Sequence, residues 1–464
     1  MKTRTEKDSL GTIELPADAL YGAQTARAIR NFPISGMRAH SALIRAIAAI
    51  KMAAAEANRD LHTVTAERAN AIMAAAKEIL EGKHHDQFVV DVFQAGAGVS
   101  FHMNTNEVIA NRANQILGAK LGSYEKVHPN DHVNYGQSTN DVFPTAMRLS
   151  ALLALEDLYP VLKSLSASFA KKAEEFDHVL KSGRTHMQDA TPIRLGQEFA
   201  AYGLAIAHAC RTISRTSASL RELGLGGSAV GTGLNTHPQY RALAIQNLST
   251  LTRQPLCPAP DMRYAMQSCA PMADLSGSLR TLALEVIRIS NDLRLLASGP
   301  NTGLNEIQLP ALQPGSSIMP GKVNPVLAEL AAMVAFQVIG NDTAIGYAVQ
   351  AGQLELNVMM PTITYNTLQS IQILTNMLRE FDERCIAGIT ANEDRCAFYA
   401  ESTVSLATAL NPYIGYAKAA ELVKESIASG KGILSLAREK ELLTDEQITE
   451  ILDPQKMTEP RETI

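Results

Sequence analysis

Hydrophobic and polar positions alternate with a helical period along most of this 464-residue chain. After residue 140, apolar residues recur at three-to-four spacing in five long segments, residues 144–175, 192–223, 272–297, 326–348 and 359–386. Segments of roughly 20 to 30 helical residues with one broad apolar stripe are what a bundle of long helices requires. The stripes are wider than one chain's bundle would bury, which favours helices packed between subunits.

Shorter elements flank the long segments. Helical periodicity first appears at residues 41–58 and 65–81, and polar stretches rich in Gly or Asn follow at residues 94–106 and 129–140, which we predict to be loops. After residue 389 the helical segments shorten again. We therefore predict a mainly α fold with three domains: a mixed, mostly helical domain at residues 1–140, a central long-helix bundle at 141–390, and a small helical domain at 391–464.

Composition narrows the class of protein. The formal net charge is -5 and Lys and Arg form no cluster, which argues against a nucleic-acid surface. No uncharged apolar run reaches the length of a membrane span. Aromatic residues make up 5% of the chain and Trp is absent, while Ala, Leu and Met are abundant, and this composition favours packed helices.

The five cysteines are scattered and none forms a C-x-x-C pair, which is typical of reduced thiols in a reducing compartment. The first eight residues are rich in charge and contain no apolar core, so we expect no signal peptide. Together these features predict a cytoplasmic protein.

One segment, Gly315–Pro325, combines flexibility with chemistry. Two glycines and two prolines bracket the pair Ser316 and Ser317, and Lys322 and Asn324 close the run. This pattern predicts a mobile loop that carries a hydroxyl group beside a cation and an amide. Taken singly, each of these residues more often belongs to an exposed connection between helices. The prediction of a functional loop therefore depends on the whole eleven-residue string.

The string resembles the signature of the aspartase/fumarase superfamily, and further segments resemble that family's motifs in the same order along the chain. They are residues 15–22, 104–108, 137–141, 183–190, 231–236 and 410–412. The resemblance covers essentially the whole chain. It implies the family's three-domain, mainly helical fold, a homotetramer around a shared central bundle, and active sites built by three subunits. It also implies a small dicarboxylate or amino acid substrate and no organic cofactor.

Within the superfamily, residues 94–98, 303–307 and 351–356 resemble the aspartate-cleaving members more than the class II fumarases. The resemblance therefore implies reversible anti elimination of ammonia from L-aspartate or a close analogue, through an aci-carboxylate intermediate. Three alternatives stay open: a fumarate hydratase, a lyase of the same fold that acts on a different succinyl or C4 amino acid derivative, and a scaffold that has lost its activity.

The same resemblance assigns the proton transfers. Ser316 would be the general base, acting as an alkoxide. A serine hydroxyl is a poor base near neutral pH, so backbone amides of the loop must stabilise its anion, and closure of the loop would exclude water. His186 would pair with Glu329, which would fix the orientation of the imidazole and raise its basicity.

The substrate contacts implied by the resemblance divide among three parts of the substrate. Lys322 and Asn324 would hold the α-carboxylate. The β-carboxylate would be surrounded by Ser138, Thr139, Ser317 and the turn that contains Val99 and Ser100. The leaving amine would be contacted by Asn140, Thr185 and His186.

Three positions depart from the family pattern. Val99 stands where relatives carry a Thr that donates to the β-carboxylate, and such a charge-assisted hydrogen bond is worth roughly 1.5–3 kcal/mol. His102 replaces a usual Asn, and Asn301 replaces a usual Arg. Either Ser100 or another donor compensates, or the group bound there is not an ordinary carboxylate. The departures leave the identity of the substrate open.

Two further patterns are not interpreted as binding sites. Residues 224–229 fit a dinucleotide fingerprint but follow no predicted strand, so we interpret them as a structural turn. His84 and His85 are adjacent and have no partner at helical spacing, so a solvated loop is favoured over a metal site. We predict no metal ligands, and activation by a divalent cation cannot be deduced from these residues.

Overall fold

The structure, a computed structural model, describes residues 2–460. Residue 1, which begins the first predicted domain, and residues 461–464, which end the third, lie outside the described residues. Helices account for most of the chain, which confirms the prediction of a mainly α fold. Across residues 2–460, no helix is both long and apolar enough to cross a membrane.

The chain opens on a hairpin and four helices. The antiparallel strands are β1 (Thr3–Asp8) and β2 (Gly11–Pro16), and the helices are α1 (Ala23–Asn31), α2 (Ser41–Asp60), α3 (Ala66–Leu80) and α4 (Val99–Ile116). The predicted periodic segments correspond to α2 and α3, which pack against each other. The prediction of a loop over residues 94–106 is wrong from Val99 onward, because α4 begins there.

The polar character of α4 misled the prediction. Asn104, Glu107, Asn111 and Asn114 are buried but hydrogen-bonded to the backbone of neighbouring segments, which is how a polar helix can lie in a core. Asn104 donates to the carbonyl of Gln87, and the Glu107 carboxylate accepts hydrogen bonds from the backbone N–H groups of Gly22 and Thr25. A pattern of hydrophobicity cannot distinguish such a helix from a solvated loop.

Long helices dominate the middle of the chain, and the five predicted segments are confirmed. They are α5 (Thr139–Glu175), α6 (Leu195–Ser217), α9 (Ala270–Leu296), α10 (Val326–Gln350) and α11 (Met360–Arg384), with the shorter α7 (Tyr240–Thr252) and α8 (Met262–Gln267) between them. Short two-stranded pairings connect these helices. They are the antiparallel β3 (Leu180–Thr185) with β4 (Gln188–Arg194), the parallel β5 (Glu222–Leu223) with β6 (Cys257–Pro258), and the antiparallel β7 (Ile307–Gln308) with β8 (Thr390–Ala391).

The last part of the chain is a set of short helices. They are α12 (Glu393–Ser402), α13 (Asn411–Ile414), α14 (Tyr416–Ser429), α15 (Ile433–Glu439) and α16 (Asp445–Ile451). Leu410, Leu422, Leu436 and Ile448 form a small apolar core of their own. Such a core is what the predicted C-terminal helical domain requires.

The backbone contacts divide the chain into two compact units. The first unit comprises residues 1–159, 211–283 and 336–375, and the second comprises residues 160–210, 284–335 and 376–464. Each of the five long helices contributes residues to both units. The division into three domains at residues 140 and 390 stays a prediction.

Helix α10 carries large apolar side chains that this single chain leaves in solvent. Met333, Phe336 and Tyr347 are exposed by 63%, 59% and 70%. Burying each side chain of this kind stabilises an assembly by about 1.5–3 kcal/mol. Their exposure supports the prediction that this helix packs against other subunits in a homotetramer.

We expect Phe336→Glu to dissociate that assembly, because each subunit would then place an unpaired carboxylate in an apolar interface. Light scattering coupled to size-exclusion chromatography should show a fall in mass from tetramer to smaller species. Ile427→Glu is the matched control, since Ile427 is also exposed, by 69%, on α14 of the C-terminal region. An unchanged mass for Phe336→Glu would contradict packing through α10.

Candidate active site

The predicted catalytic serine lies in a loop that closes on itself at its base. The backbone N–H of Gly315 donates to the carbonyl of Lys322 over 2.7 Å, and the Asn324 side chain donates to the carbonyl of Gly315 over 2.8 Å. A Cβ at position 315 would collide with the Lys322 carbonyl, so this close approach requires glycine. The base of the loop is thereby fixed, while its outer part is exposed.

Within the loop, the Ser316 hydroxyl oxygen accepts two backbone hydrogen bonds. The N–H of Ile318 lies at 3.2 Å and that of Met319 at 2.9 Å. Two amide dipoles that point at one oxygen stabilise negative charge on it, and they need no rearrangement to do so. The arrangement provides the amide donors that a serine alkoxide requires.

A cavity of about 540 Å³ lies beside the loop. Lys322 and Asn324 line it together with the segments at residues 297–300 and 305–311. Lys322 is exposed and Asn324 is half-buried, so an ammonium and an amide border the space. These are the two side chains predicted to bind a carboxylate.

The predicted amine contacts lie at the tip of the hairpin formed by β3 and β4. His186 and Met187 occupy the two turn positions with φ of 55° and 60°, between the paired residues Thr185 and Gln188. Two successive left-handed residues form the tight hairpin turn that matches the twist of the strands. The turn leaves Thr185 and His186 exposed at the tip.

A buried ionic cluster anchors the base of this hairpin. Arg184 donates to both oxygens of the Glu306 carboxylate, over 2.9 and 2.8 Å, and Lys181 lies 3.5 Å from Glu306 and 2.8 Å from Glu198. Glu306 and the Lys181 side chain are almost fully buried. Each of these buried charges is stabilised by its charged partners. The cluster fixes the position of Arg184, which directly precedes Thr185.

Glu329 lies in the first turn of α10, and in the described residues no hydrogen bond or ion pair joins it to His186. The resemblance assigns each active site to three subunits, so a single chain does not test this pair. The His186–Glu329 interaction stays a prediction.

The start of α5 holds a second group of predicted residues. The Asp141 carboxylate accepts hydrogen bonds from the backbone N–H of Ser138 at 2.8 Å, of Gly226 at 2.9 Å and of Ser228 at 3.1 Å. Burial raises the pKa of the Asp141 carboxyl to about 6. The glycine-rich segment that resembled a dinucleotide fingerprint thus acts as a structural turn, as predicted, and it binds this carboxylate.

Asn140 donates from its side chain to the carbonyl of Ala229 over 2.9 Å, and it is half-buried. Oγ1 of its neighbour Thr139 lies within hydrogen-bond distance, 2.6 Å, of Nδ1 of His102. The same histidine approaches Lys51, which is fully buried. From the sequence, His102 is only a departure from the family pattern, and the role of Lys51 was not predicted, although a lysine inside the run Ala-Ala-Ile-Lys-Met-Ala-Ala is a signal of a buried charge.

Val99 and Ser100 open α4. Gly98 precedes them with φ of 91°, and a Cβ there would collide with the ring of Phe143. Val99 is 41% exposed and Ser100 is half-buried. Ser100 therefore brings a hydroxyl and a backbone N–H to the N-terminus of a helix, where anionic groups are stabilised.

In the described part of the chain, no group of three or more His, Cys, Asp or Glu side chains is arranged to hold a metal ion. His84 contacts Glu78 and His85 contacts the carbonyl of Ile79, so the two adjacent histidines point to different partners.

We expect Glu306→Gln to destabilise the protein by about 3 kcal/mol, because it leaves Lys181 and Arg184 without a full counter-charge in a buried setting. Urea unfolding should detect the loss. Glu439→Gln is the control, since Glu439 pairs with Lys431 at the surface, where such pairs contribute little. Equal losses for both variants would show that the buried cluster has no special role.

Comparison with known proteins gives the family. The lyase family matches residues 11–340, and the fumarase C C-terminal family matches residues 406–459. An aspartate ammonia-lyase of Bacillus subtilis (strain 168) is 49% identical over 457 residues, covering 98% of this chain and 96% of that protein. A class II fumarate hydratase of Halobacterium salinarum is 50% identical over 456 residues, covering 98% of this chain and 97% of that protein.

Solved structures agree with the sequence comparisons. The cobalt-bound fumarate lyase:delta crystallin from Brucella melitensis superposes with a TM-score of 0.96 at 47% identity, covering 99% of this chain and 100% of that one. The class II fumarase of Schistosoma mansoni gives a TM-score of 0.96 at 38% identity with the same coverage. The fold is therefore the predicted aspartase/fumarase type, and the chain belongs to the lyase family that contains the aspartases and the class II fumarases.

Proposed function

We propose that this enzyme catalyses the reversible anti elimination of ammonia from L-aspartate, or a close analogue, to give fumarate or its counterpart. The observation that carries the proposal is the Ser316 hydroxyl, which accepts two backbone hydrogen bonds inside an exposed loop. The proposed assembly is a homotetramer in which three subunits complete each site. The proposed setting is the cytoplasm, which the scattered cysteines favour.

The reaction begins with removal of a proton from carbon. As an alkoxide, Ser316 takes a proton from Cβ of aspartate, and the electron pair left behind moves into the neighbouring β-carboxylate. The product is an aci-carboxylate with two negative charges on that group. The amides of Ile318 and Met319 lower the energy of the alkoxide, and closure of the loop over the substrate excludes water that would quench it.

The α-carboxylate is the part of the substrate that does not change charge. Lys322 supplies a positive charge to it and Asn324 supplies a directional donor, and both line the 540 Å³ cavity. Asn324 also holds the base of the loop through Gly315, so binding at this point is coupled to the position of the loop. A substrate held here presents its Cβ to the loop that carries Ser316.

The β-carboxylate requires donors because its charge grows during the reaction. Ser138, Thr139 and Ser317 offer hydroxyl groups, and Ser100 adds a hydroxyl and an amide at the start of α4. Val99 offers neither. We propose that Ser100 and Thr139 carry the interactions that a threonine at position 99 would otherwise share.

In the second step the electron pair returns from the aci-carboxylate, the Cα–N bond breaks, and ammonia leaves. Asn140, Thr185 and His186 are the proposed contacts of the amine, and Glu329 is the proposed partner that orients His186. The rigid turn at the hairpin tip, anchored by Arg184 and Glu306, fixes where these side chains are presented.

Fumarate hydration is the second candidate function. It uses the same residues with water in place of ammonia, and the fumarate hydratase of Halobacterium salinarum is as similar to this chain as the aspartate ammonia-lyases are. A third candidate, prompted by Val99, is a lyase that acts on a succinyl or C4 amino acid derivative with a different β group.

We expect the purified enzyme to consume fumarate only when ammonium is present, with a matching formation of L-aspartate. Ultraviolet absorbance follows the loss of fumarate, and amino acid analysis identifies the product. Loss of fumarate without ammonium would instead assign the hydratase activity. If neither occurs, C4 amino acids with altered β groups are the next substrates to test.

We expect Ser316→Ala to lower kcat by about 10² to 10⁴-fold, which is the usual contribution of a general base. The fold, followed by circular dichroism, should not change. Ser402→Ala is the matched control, because the Ser402 hydroxyl bonds only to the carbonyl of Phe398 within α12. A kcat within a few-fold of the parent would rule out Ser316 as the base.

A further inference from the structure

Lys51 is a fully buried ammonium group in the middle of α2, surrounded by neutral partners. Its Nζ lies 2.6 Å from Nε2 of His102, 3.0 Å from Oδ1 of Asn134 and 2.9 Å from Oε1 of Gln137. An ammonium group has three hydrogens to donate, and three neighbouring atoms can accept them. The site therefore matches the charged form of the lysine.

The orientation of the two amides is fixed by the backbone. The Asn134 side-chain nitrogen donates to the carbonyl of Gln137 over 3.2 Å, and the Gln137 side-chain nitrogen donates to the carbonyl of Val133 over 3.1 Å. Both amide oxygens must then face Lys51. With two of its hydrogens committed to these oxygens, Lys51 directs the third at His102.

A charged Lys51 assigns the tautomer of His102. Since Nε2 accepts from Lys51, the proton of the neutral ring resides on Nδ1, which donates to Oγ1 of Thr139 over 2.6 Å. The Thr139 oxygen is now an acceptor on that side. Its own hydrogen has to point elsewhere, so the hydroxyl is held as a donor toward whatever binds at the start of α5.

We propose that Lys51 and His102 are positioning residues that hold the Thr139 hydroxyl as a hydrogen-bond donor to a carboxylate of the bound dicarboxylate, and that they thereby offset the donor that Val99 lacks. The inference rests on the proposed function only in taking Thr139 as a carboxylate ligand. Neither residue touches the substrate, and both act through Thr139.

The protonation of Lys51 and His102 depends on burial, on nearby charge and on their hydrogen-bond partners. Burial lowers the pKa of both Lys51 and His102, and the neighbouring Asp141 carboxylate opposes the shift at Lys51. The lowered pKa of His102 favours a neutral imidazole, whereas the three possible acceptors around Nζ are the feature that favours a charged Lys51. A neutral Lys51 would keep its hydrogen bonds to the two amide oxygens but would accept from Nε2 of His102. Nδ1 of His102 would then accept from Thr139, which would present a lone pair to the carboxylate, so an anionic ligand favours the charged state.

The test separates the two ring nitrogens of His102. In His102→Gln, the longer amide can replace Nε2 as a partner of Lys51, but it has no group at the Nδ1 position to contact Thr139. We measure calorimetric binding of succinate and of the nitronate of 3-nitropropionate to the parent enzyme, His102→Gln, Thr139→Val and the double variant. The planar nitronate mimics the doubly charged aci-carboxylate, whereas succinate mimics the ground state.

We expect His102→Gln to weaken nitronate binding about tenfold and succinate binding less, because a positioned donor matters most where charge has accumulated. In the Thr139→Val background, the same change should have an effect within about twofold. Thr105→Val is the control on the same helix, since its hydroxyl bonds only to the carbonyl of Phe101. Equal weakening of both ligands, no weakening, or a full effect without the Thr139 hydroxyl would overturn the proposal.

Neutron diffraction of the parent enzyme tests the same network without a substitution. We expect deuterium on Nδ1 of His102 and three deuterium atoms on Nζ of Lys51, and deuterium on Nε2 would overturn the assignment. These binding and diffraction results do not depend on ammonia release. A parent enzyme that releases ammonia from neither L-aspartate nor a C4 analogue would refute the proposed function, whereas the inference about Lys51 and His102 would still be judged by the binding and diffraction data.

Discussion

An α-helix satisfies nearly all of its backbone donors internally, so a protein built of long helices has free N–H groups only where a helix begins or where the chain turns. All the predicted site residues obey this constraint. Val99 and Ser100 open α4, and Ser138, Thr139 and Asn140 lie at the start of α5. The remaining residues lie in the loop before α10, in its first turn, or at the hairpin tip. The helices supply length and rigidity, while their interruptions supply the donors that can stabilise an anion.

Those interruptions are held rigid by buried charges, each with a full set of partners. Asp141 binds three backbone amides at the start of α5, Glu306 binds the base of the hairpin through Arg184, and Lys51 faces three acceptors beneath Thr139. A buried charge without partners would cost several kcal/mol, so each of these groups restricts its neighbours to one arrangement. The loop that carries Ser316 differs, because only its base is fixed and its outer part is free to move over a substrate.

The departure at Val99 can be understood in these terms. The family pattern that the sequence resembles has a threonine donor at the first position of this helix, whereas this chain has a valine there and a histidine one turn later. In the proposed scheme, the Thr139 hydroxyl offsets the donor that position 99 lacks, because Lys51 and His102 orient that hydroxyl toward the substrate. Such a change alters how strongly a growing negative charge is stabilised without altering which bonds break.

The sequence by itself determined the five long helices, because their apolar period is regular and extends over many turns, and the motifs determined the family and the candidate site residues. It could not identify α4, whose polar side chains are buried against backbone at the start of α1, just before it, and at residues 87 to 89. It also missed the roles of Lys51 and Glu306. The partners of Lys51 and of Glu306 lie 50 or more positions away along the chain, and only the tertiary structure decides which distant groups meet. Burial then makes each of these hydrogen bonds necessary, because an unpaired polar group in a low-dielectric interior is costly.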